Sequence, residues 1–238
     1  ARILSGIKSF FRFLIMADYL EADPSELLES PNIGLKLPEV LTVEEIDRII
    51  ATVDRSKAEG QRNRAILETL YSCGLRVSEL VNLKLSDLYF DEGFIKVEGK
   101  GNKQRLIPIS PKAINEIKLY FTDRNQIEVK SGHEDFVFIS SRRGKRLSRI
   151  MIFHMIKELA QQAGITKNIS PHTFRHSFAT HLLEGGANLR AIQCMLGHES
   201  IATTEIYTHI DRNVLRSEII EHHPRNIKYR KEKESLFH

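Results

Sequence analysis

A chain of 238 residues with 41% apolar content is long enough to bury a full hydrophobic core, as one large domain or as a large and a small one. It contains no apolar run able to span a bilayer and no charged-then-apolar leader, so the expected location is cytoplasmic and no membrane partner is expected. The formal charge of +4 favours a polyanionic partner only weakly, while Cys73, Cys194 and the histidines show no metal-ligand spacing, so neither a metal nor another cofactor is expected.

The chain opens in a helical pattern, Ile3, Ile7, Phe10, Phe11, Leu14, without a capping residue before it. Residues 1–30 are therefore expected to be the end of a small helical domain. Residues 31–39 hold Pro31, Gly34 and Pro38 and lack periodicity, which reads as a linker. Residues 40–238 form the main domain. Thr42 and Glu45 make a capping box ahead of Ile46, Ile49, Ile50 and Val53, announcing a helix. A second helix is expected from about Gln61 to Ser72 and is stopped by Gly74, with a short helical segment following Arg76.

Between Phe94 and Ile109 the apolar period changes to two. Phe94, Ile95 and Val97 precede a turn at Gly99 to Asn102, and Leu106, Ile107 and Ile109 follow it, which predicts an antiparallel hairpin. Phe136 to Ile139 suggests a third short strand. Helices are then expected from Pro111 to Thr122, Ser148 to Ala163, Pro171 to Glu184 with Ser170 as N-cap, Asn188 to Leu196, and Asp211 to His222. The expected fold class is mainly α with a small antiparallel β-sheet, an α+β arrangement.

Several motifs carry groups suited to phosphodiester chemistry. Breaking such a bond without a metal requires a nucleophile, cations for charge on the nonbridging oxygens, and an acid for the leaving oxygen. Arg76 and Arg175 suit the cationic role, because a guanidinium stays charged and its planar fork matches phosphate. His172 and Arg175 stand three positions apart on one helix and are expected to point the same way, with Phe174 and Phe178 toward the core. Lys100 lies between two glycines in the hairpin turn, a placement from which a lysine can reach a leaving oxygen. Basic residues also concentrate in Lys100 to Arg105, Arg142 to Arg149 and Arg225 to Lys233, three segments that could line a groove on duplex DNA. Taken singly these signals are weak. An HxxR pair is common on surface helices, and a lone tyrosine such as Tyr207 is more often a half-buried phenol.

Their order and spacing together resemble the tyrosine site-specific recombinases of the integrase family, and within it the Xer type. The stretches that carry the resemblance are Tyr71 through Leu80, Gly99 through Arg105, Ser170 through His181, Leu196-Gly197-His198 and Ile206-Tyr207-Thr208-His209. The resemblance implies a tyrosine recombinase catalytic fold preceded by a partial helical DNA-clamping domain, and a catalytic set of Arg76, Lys100, His172, Arg175, His198 and Tyr207. Tyr207 matches the nucleophile, Lys100 the general acid, and His198 the histidine that binds the scissile phosphate. Lys103 is a rival for the acid role. Glu79, His176, His181 and His209 are read as structural or supporting.

The family chemistry implied is a 3′-phosphotyrosyl intermediate and a four-way junction, without metal or ATP. Implied partners are double-stranded DNA at a specific recombination site and a homo- or hetero-tetramer joined through the C-terminal helix. A partner recombinase and a DNA translocase extend that set. Chromosome dimer resolution is the favoured role. A mobile-element integrase, an invertase, a relaxing topoisomerase and a non-catalytic DNA-binding accessory protein are the alternatives. Asn63, Cys73 and Cys194 depart from the usual family residues, and none of them removes a catalytic atom.

Overall fold

The computed structural model describes residues 2–26, 28, 39–197 and 212–228. The chain divides into two units, 1–37 and 38–238. In the first, helix α1 (Arg2–Met16) carries the apolar side chains of Ile3, Ile7, Phe10, Phe13 and Met16 exposed. It ends in a turn at Asp18, whose φ is +55°. The expected linker falls almost entirely outside the described residues.

The second unit is built around α3 (Gly60–Cys73). Ala65, Ile66, Leu67, Leu70, Tyr71 and Cys73 on this helix are all fully buried, the pattern of a helix enclosed on every side rather than amphipathic. It packs against α2 (Val43–Ala51), α5 (Pro111–Arg124) and α7 (Pro171–Glu184). The capping box of α2 forms as expected: the Thr42 hydroxyl accepts the Glu45 N–H and the Glu45 carboxylate accepts the Thr42 N–H. Gly74 ends α3 with φ +57°, and the chain turns directly into α4 (Val77–Asn82).

Strands β1 (Leu88–Tyr89), β2 (Phe94–Glu98) and β3 (Gln104–Pro108) form an antiparallel sheet in that order. Ile95 pairs with Ile107 and Val97 with Arg105, so β2 and β3 form the expected antiparallel hairpin. Its third strand is not where the sequence suggested. The segment 136–139 makes isolated bridges instead, Lys84 with Phe136 and Ile139 with Arg146. The reason is that its backbone groups are divided between two neighbours. The Val137 N–H goes to Leu83 O, and Phe138 O accepts from the Leu147 N–H. β1 takes the place beside β2.

The remaining helices are α6 (Arg149–Gln162), α8 (Leu189–Leu196) and α9 (Arg212–His222), with another helical turn at 224–228. Ser148 and Asn188 cap α6 and α8 through their side chains, and Gly197 closes α8 with φ +65°. Helix α9 packs on α7, α8 and β3 of the same chain. Ile219 of α9 is buried, whereas Val214 is exposed. The architecture is thus mainly helical with a small antiparallel sheet.

Candidate active site

The left-handed turn at Gly74 fixes where Arg76 stands. Arg76 is the N-cap of α4, and Glu79, one turn into that helix, accepts both the Arg76 backbone N–H at 2.8 Å and its Nη1 at 2.9 Å. The other end of the guanidinium, Nη2, donates to the carbonyl of Gly197 at 3.2 Å. A side chain from α4 thereby reaches the end of α8.

Arg175 arrives at the same place from α7. Its Nη1 donates to Gly74 O at 2.8 Å and lies 4.0 Å from Glu79 Oε2, and its Nη2 donates to Leu196 O. Two arginines about a hundred residues apart in sequence thus anchor on consecutive carbonyls at the C-terminus of α8. The Phe174 and Phe178 rings, fully buried on the other side of α7, hold that helix to the core. A third cation completes the group. Arg105 of β3 forks onto Glu79, with Nη1 2.8 Å from Oε1 and Nη2 3.0 Å from Oε2, and donates through Nε to Met195 O at 2.8 Å.

Burial pushes the Glu79 carboxyl toward a higher pKa, but hydrogen bonds and charge from Arg105, with those of Arg76, outweigh it and hold the group below its ordinary value. Burial foremost, then the charge of Arg76, brings Arg175 down to about 10, which still leaves it cationic at neutral pH. Three guanidiniums around one carboxylate leave excess positive charge at a half-enclosed site. That excess suits an anion presenting several oxygens, such as a phosphodiester in its reacting state.

His172 is exposed in the first turn of α7. It projects at the surface whereas Arg175 is buried, so the two differ more in environment than their spacing suggested. Lys100 belongs to the connection between β2 and β3, which turns through positive φ at Gly101 and Asn102. Lys103 is exposed just before β3. His198, Tyr207 and His209 lie outside the described residues. His176 is exposed, and His181 is buried with its Nδ1 2.8 Å from the Tyr71 hydroxyl, a structural contact.

Arg105, expected only as part of a basic segment that could line a DNA groove, is instead turned inward onto Glu79 and Met195 O. The available signal was Glu79 itself, since an acid expected beside a buried helix start needs more than one cation to remain charged there.

A second basic surface lies in a cleft between α4 and the start of α6, lined by Asn82, His133, Arg143, Lys145, Arg146 and Arg149. Arg146 donates to Asn82 Oδ1 and lies over the Phe136 ring. Among the described residues, no ion pair engages Arg143, Lys145, Arg146 or Arg149.

The model of the phage integrase family matches residues 39–213. The chain is 46% identical over 226 residues to a tyrosine recombinase XerD of Staphylococcus saprophyticus, covering 94% of this chain and 76% of that one. The crystal structure of XerA recombinase is similar with a TM-score of 0.62 at 35% identity, covering 92% of this chain and 74% of that one. The XerH site-specific recombinase bound to its difH substrate in a pre-cleavage complex is similar with a TM-score of 0.62 at 30% identity, covering 73% and 51%. The meeting of Arg76, Arg175 and Glu79 at the end of α8 therefore occurs on a shared recombinase scaffold, and the chain belongs to the phage integrase family as a tyrosine recombinase.

Proposed function

We propose that Arg76, Lys100, His172, Arg175, His198 and Tyr207 are the residues with which this site-specific recombinase cleaves and rejoins duplex DNA. The observation that carries the proposal is the convergence of Arg76 and Arg175 on the carbonyls of Gly197 and Leu196, immediately before His198 in the chain. Motifs separated by about a hundred residues meet where a phosphate would need them.

In this reading the two arginines straddle the scissile phosphate and offset charge as it builds on the nonbridging oxygens. A phenol of ordinary pKa near 10 is a weak nucleophile at neutral pH, so the surrounding cations and His172 assist its deprotonation. The Tyr207 oxygen attacks phosphorus, a 3′-phosphotyrosyl bond forms, and the 5′-oxygen leaves with a proton from Lys100. Attack by a partner strand's 5′-hydroxyl reverses the step and releases the tyrosine. Because the bond energy is kept in the covalent link, rejoining requires no nucleotide cofactor.

The cations of the α4–α6 cleft, in no ion pair among the described residues, would hold the flanking DNA backbone. Residues 1–30 are assigned to the end of a DNA-clamping helical domain, 31–39 to its linker and 40–238 to the catalytic domain, acting in the cytoplasm. Helix α9 is assigned a role in joining protomers of a tetramer, of one or two kinds of chain. Its exposed Val214 and Ile220 support a face available to a neighbour. Chromosome dimer resolution, in concert with a partner recombinase and a DNA translocase, is the role that the XerD resemblance favours.

The test is covalent capture on randomly nicked host DNA, with Tyr207→Phe as control, followed by sequencing of the attached strands. Adducts at one chromosomal locus support dimer resolution, and adducts at element ends indicate an integrase. No adduct above the control removes Tyr207 as nucleophile.

A further inference from the structure

Glu79 is saturated. A carboxylate offers about four acceptor positions, and here four donors fill them: Arg76 Nη1 and Arg105 Nη1 on Oε1, and the Arg76 backbone N–H and Arg105 Nη2 on Oε2. The fork, the tightest geometry between a guanidinium and a carboxylate, belongs to Arg105. Arg76 has only a single side-chain N–H on Glu79, and its Nη2 remains directed at the end of α8.

Arg105 is also the one of the three arginines with all three guanidinium nitrogens bonded inside the protein, although Arg175 is no more exposed. Its side chain is 11% exposed, its two Nη groups are on Glu79 and its Nε is on Met195 O. Its guanidinium lies against Gly197, where an added Cβ would come within 3.2 Å of Cζ. The stretch 195–197 is therefore gripped by Arg105 at its first carbonyl, Arg175 at its second and Arg76 at its third. This arrangement is poorly suited to direct phosphate contact by Arg105.

We infer that Arg105 is a positioning residue: it occupies the forked face of Glu79 so that Arg76 cannot, and thereby keeps the Arg76 guanidinium turned toward the phosphate site. Removing Arg105 leaves the carboxylate free to take Arg76 as its fork partner and withdraw it. The same residue ties β3, and with it the hairpin connection that holds Lys100, to the end of α8. The inference rests on the assignment of Arg76 as a phosphate-binding group.

The test is single-turnover cleavage of a nicked duplex carrying the target site, read as phosphotyrosyl adduct, with DNA affinity and thermal melting measured on the same proteins. Arg105→Gln is expected to slow cleavage on the order of 100-fold, the size of effect that a small misplacement of a catalytic group produces, with a much smaller change in affinity. Arg105→Lys keeps the charge but not the fork and recovers only part of the rate. The decisive variant is Arg105→Gln with Glu79→Gln, which removes the carboxylate that would capture Arg76. It is expected to cleave faster than Arg105→Gln alone, whereas a merely structural pair gives a double variant no better than the single. Should Arg105→Gln fail to fold, Arg105→Lys with and without Glu79→Gln carries the same comparison. Cleavage by Arg105→Gln at the wild-type rate, or no gain in the double variant, overturns the inference. Absence of an adduct with the wild-type chain instead overturns the recombinase site on which it rests.

Discussion

His223 is held in one tautomer against Tyr71: its Nε2 donates to the Tyr71 carbonyl at 3.2 Å, and its Nδ1 accepts the Arg225 backbone N–H at 3.2 Å. The imidazole is fully buried, and around it stand the Tyr71 and Phe178 rings, the Arg225 guanidinium that lies over Tyr71, and His181 on the Tyr71 hydroxyl. Protonating it would place a cation near another cation and abolish the Nδ1 acceptor.

Burial above all, reinforced by the charge of Arg225, therefore pushes the His223 pKa down to about 3. The unfolded chain binds this proton near pH 6.5 and the folded one does not. Stability is complete well above pH 6.5 and declines as pH falls through 6.5 toward 3, by about 1 kcal/mol over the first unit below 6.5 and approaching about 1.4 kcal/mol per unit beyond it. His181, also depressed mainly by burial, acts in the same direction. Melting followed between pH 7.5 and 5 should show this decline, and His223→Gln should flatten much of it. An equal slope in the variant would assign the acid sensitivity to other groups.

The docking of His223 and Arg225 was not legible in the sequence, where Arg225 opens a basic segment that could line a DNA groove, whereas both residues are buried. Periodicity reports helices that bury one apolar stripe, and 223–228 is anchored instead by polar contacts to residues about 150 to 180 positions earlier. The same limit explains Arg105, whose partners lie in α4 and α8. What could be read was local: the Thr42 capping box, the stops at Gly74 and Gly197, the hairpin alternation and the span of α7 need only neighbouring residues. Arg76 and Arg175 were identified as candidates from their motifs, but their meeting at 196–197 is a tertiary fact. The third strand expected at 136–139 shows the converse error. Its apolar run has the composition of a ladder strand, although its backbone bonds are shared between two loops.

Gly74 illustrates how the site depends on a residue that does no chemistry. Its φ of +57° is unfavourable for a side chain, and an added Cβ would stand 2.4 Å from Phe178 Cδ1. Gly74→Ala should cost about 1 to 2 kcal/mol for the left-handed backbone and about 1 to 3 more for overpacking. Phe178→Leu in the same chain should recover only the steric part. Because Gly74 O also accepts Arg175 Nη1, cleavage should fall even at temperatures where the variant stays folded. Urea unfolding of the two variants separates the contributions, and a Gly74→Ala protein as stable as wild type would contradict the close approach.

The charged cluster at 225–228 allows burial to rank two ion pairs that look alike in sequence. Arg225 and Glu68 are nearly inaccessible, 7% and 2% exposed, and 3.0 Å apart, whereas Lys228 is 57% exposed beside Asp47. Arg225→Met leaves the Glu68 carboxylate buried without its main cation and should cost about 3 to 5 kcal/mol. Lys228→Ala removes a solvated pair and should cost less than about 1 kcal/mol. Adding Glu68→Gln to Arg225→Met should return part of the loss, since the stranded charge is then gone. Similar denaturation midpoints for Arg225→Met and Lys228→Ala would show that the buried pair is replaced by solvent at little cost.

The cleft between α4 and α6 should reveal itself through salt. Arg143, Lys145 and Arg149 line it without a carboxylate partner among the described residues, so their charge is available to phosphates. Each phosphate contact releases counterions and contributes about 0.9 to the slope of log affinity against log salt. Arg143→Ala together with Arg149→Ala should therefore lower that slope by up to about 1.8. If these groups touch only backbone, the loss should be the same on target and unrelated duplexes. A loss confined to the target would mean that Arg149, at the first position of α6, reads a base edge. An unchanged slope would place the cleft away from DNA and leave the excess charge around Glu79 to account for binding.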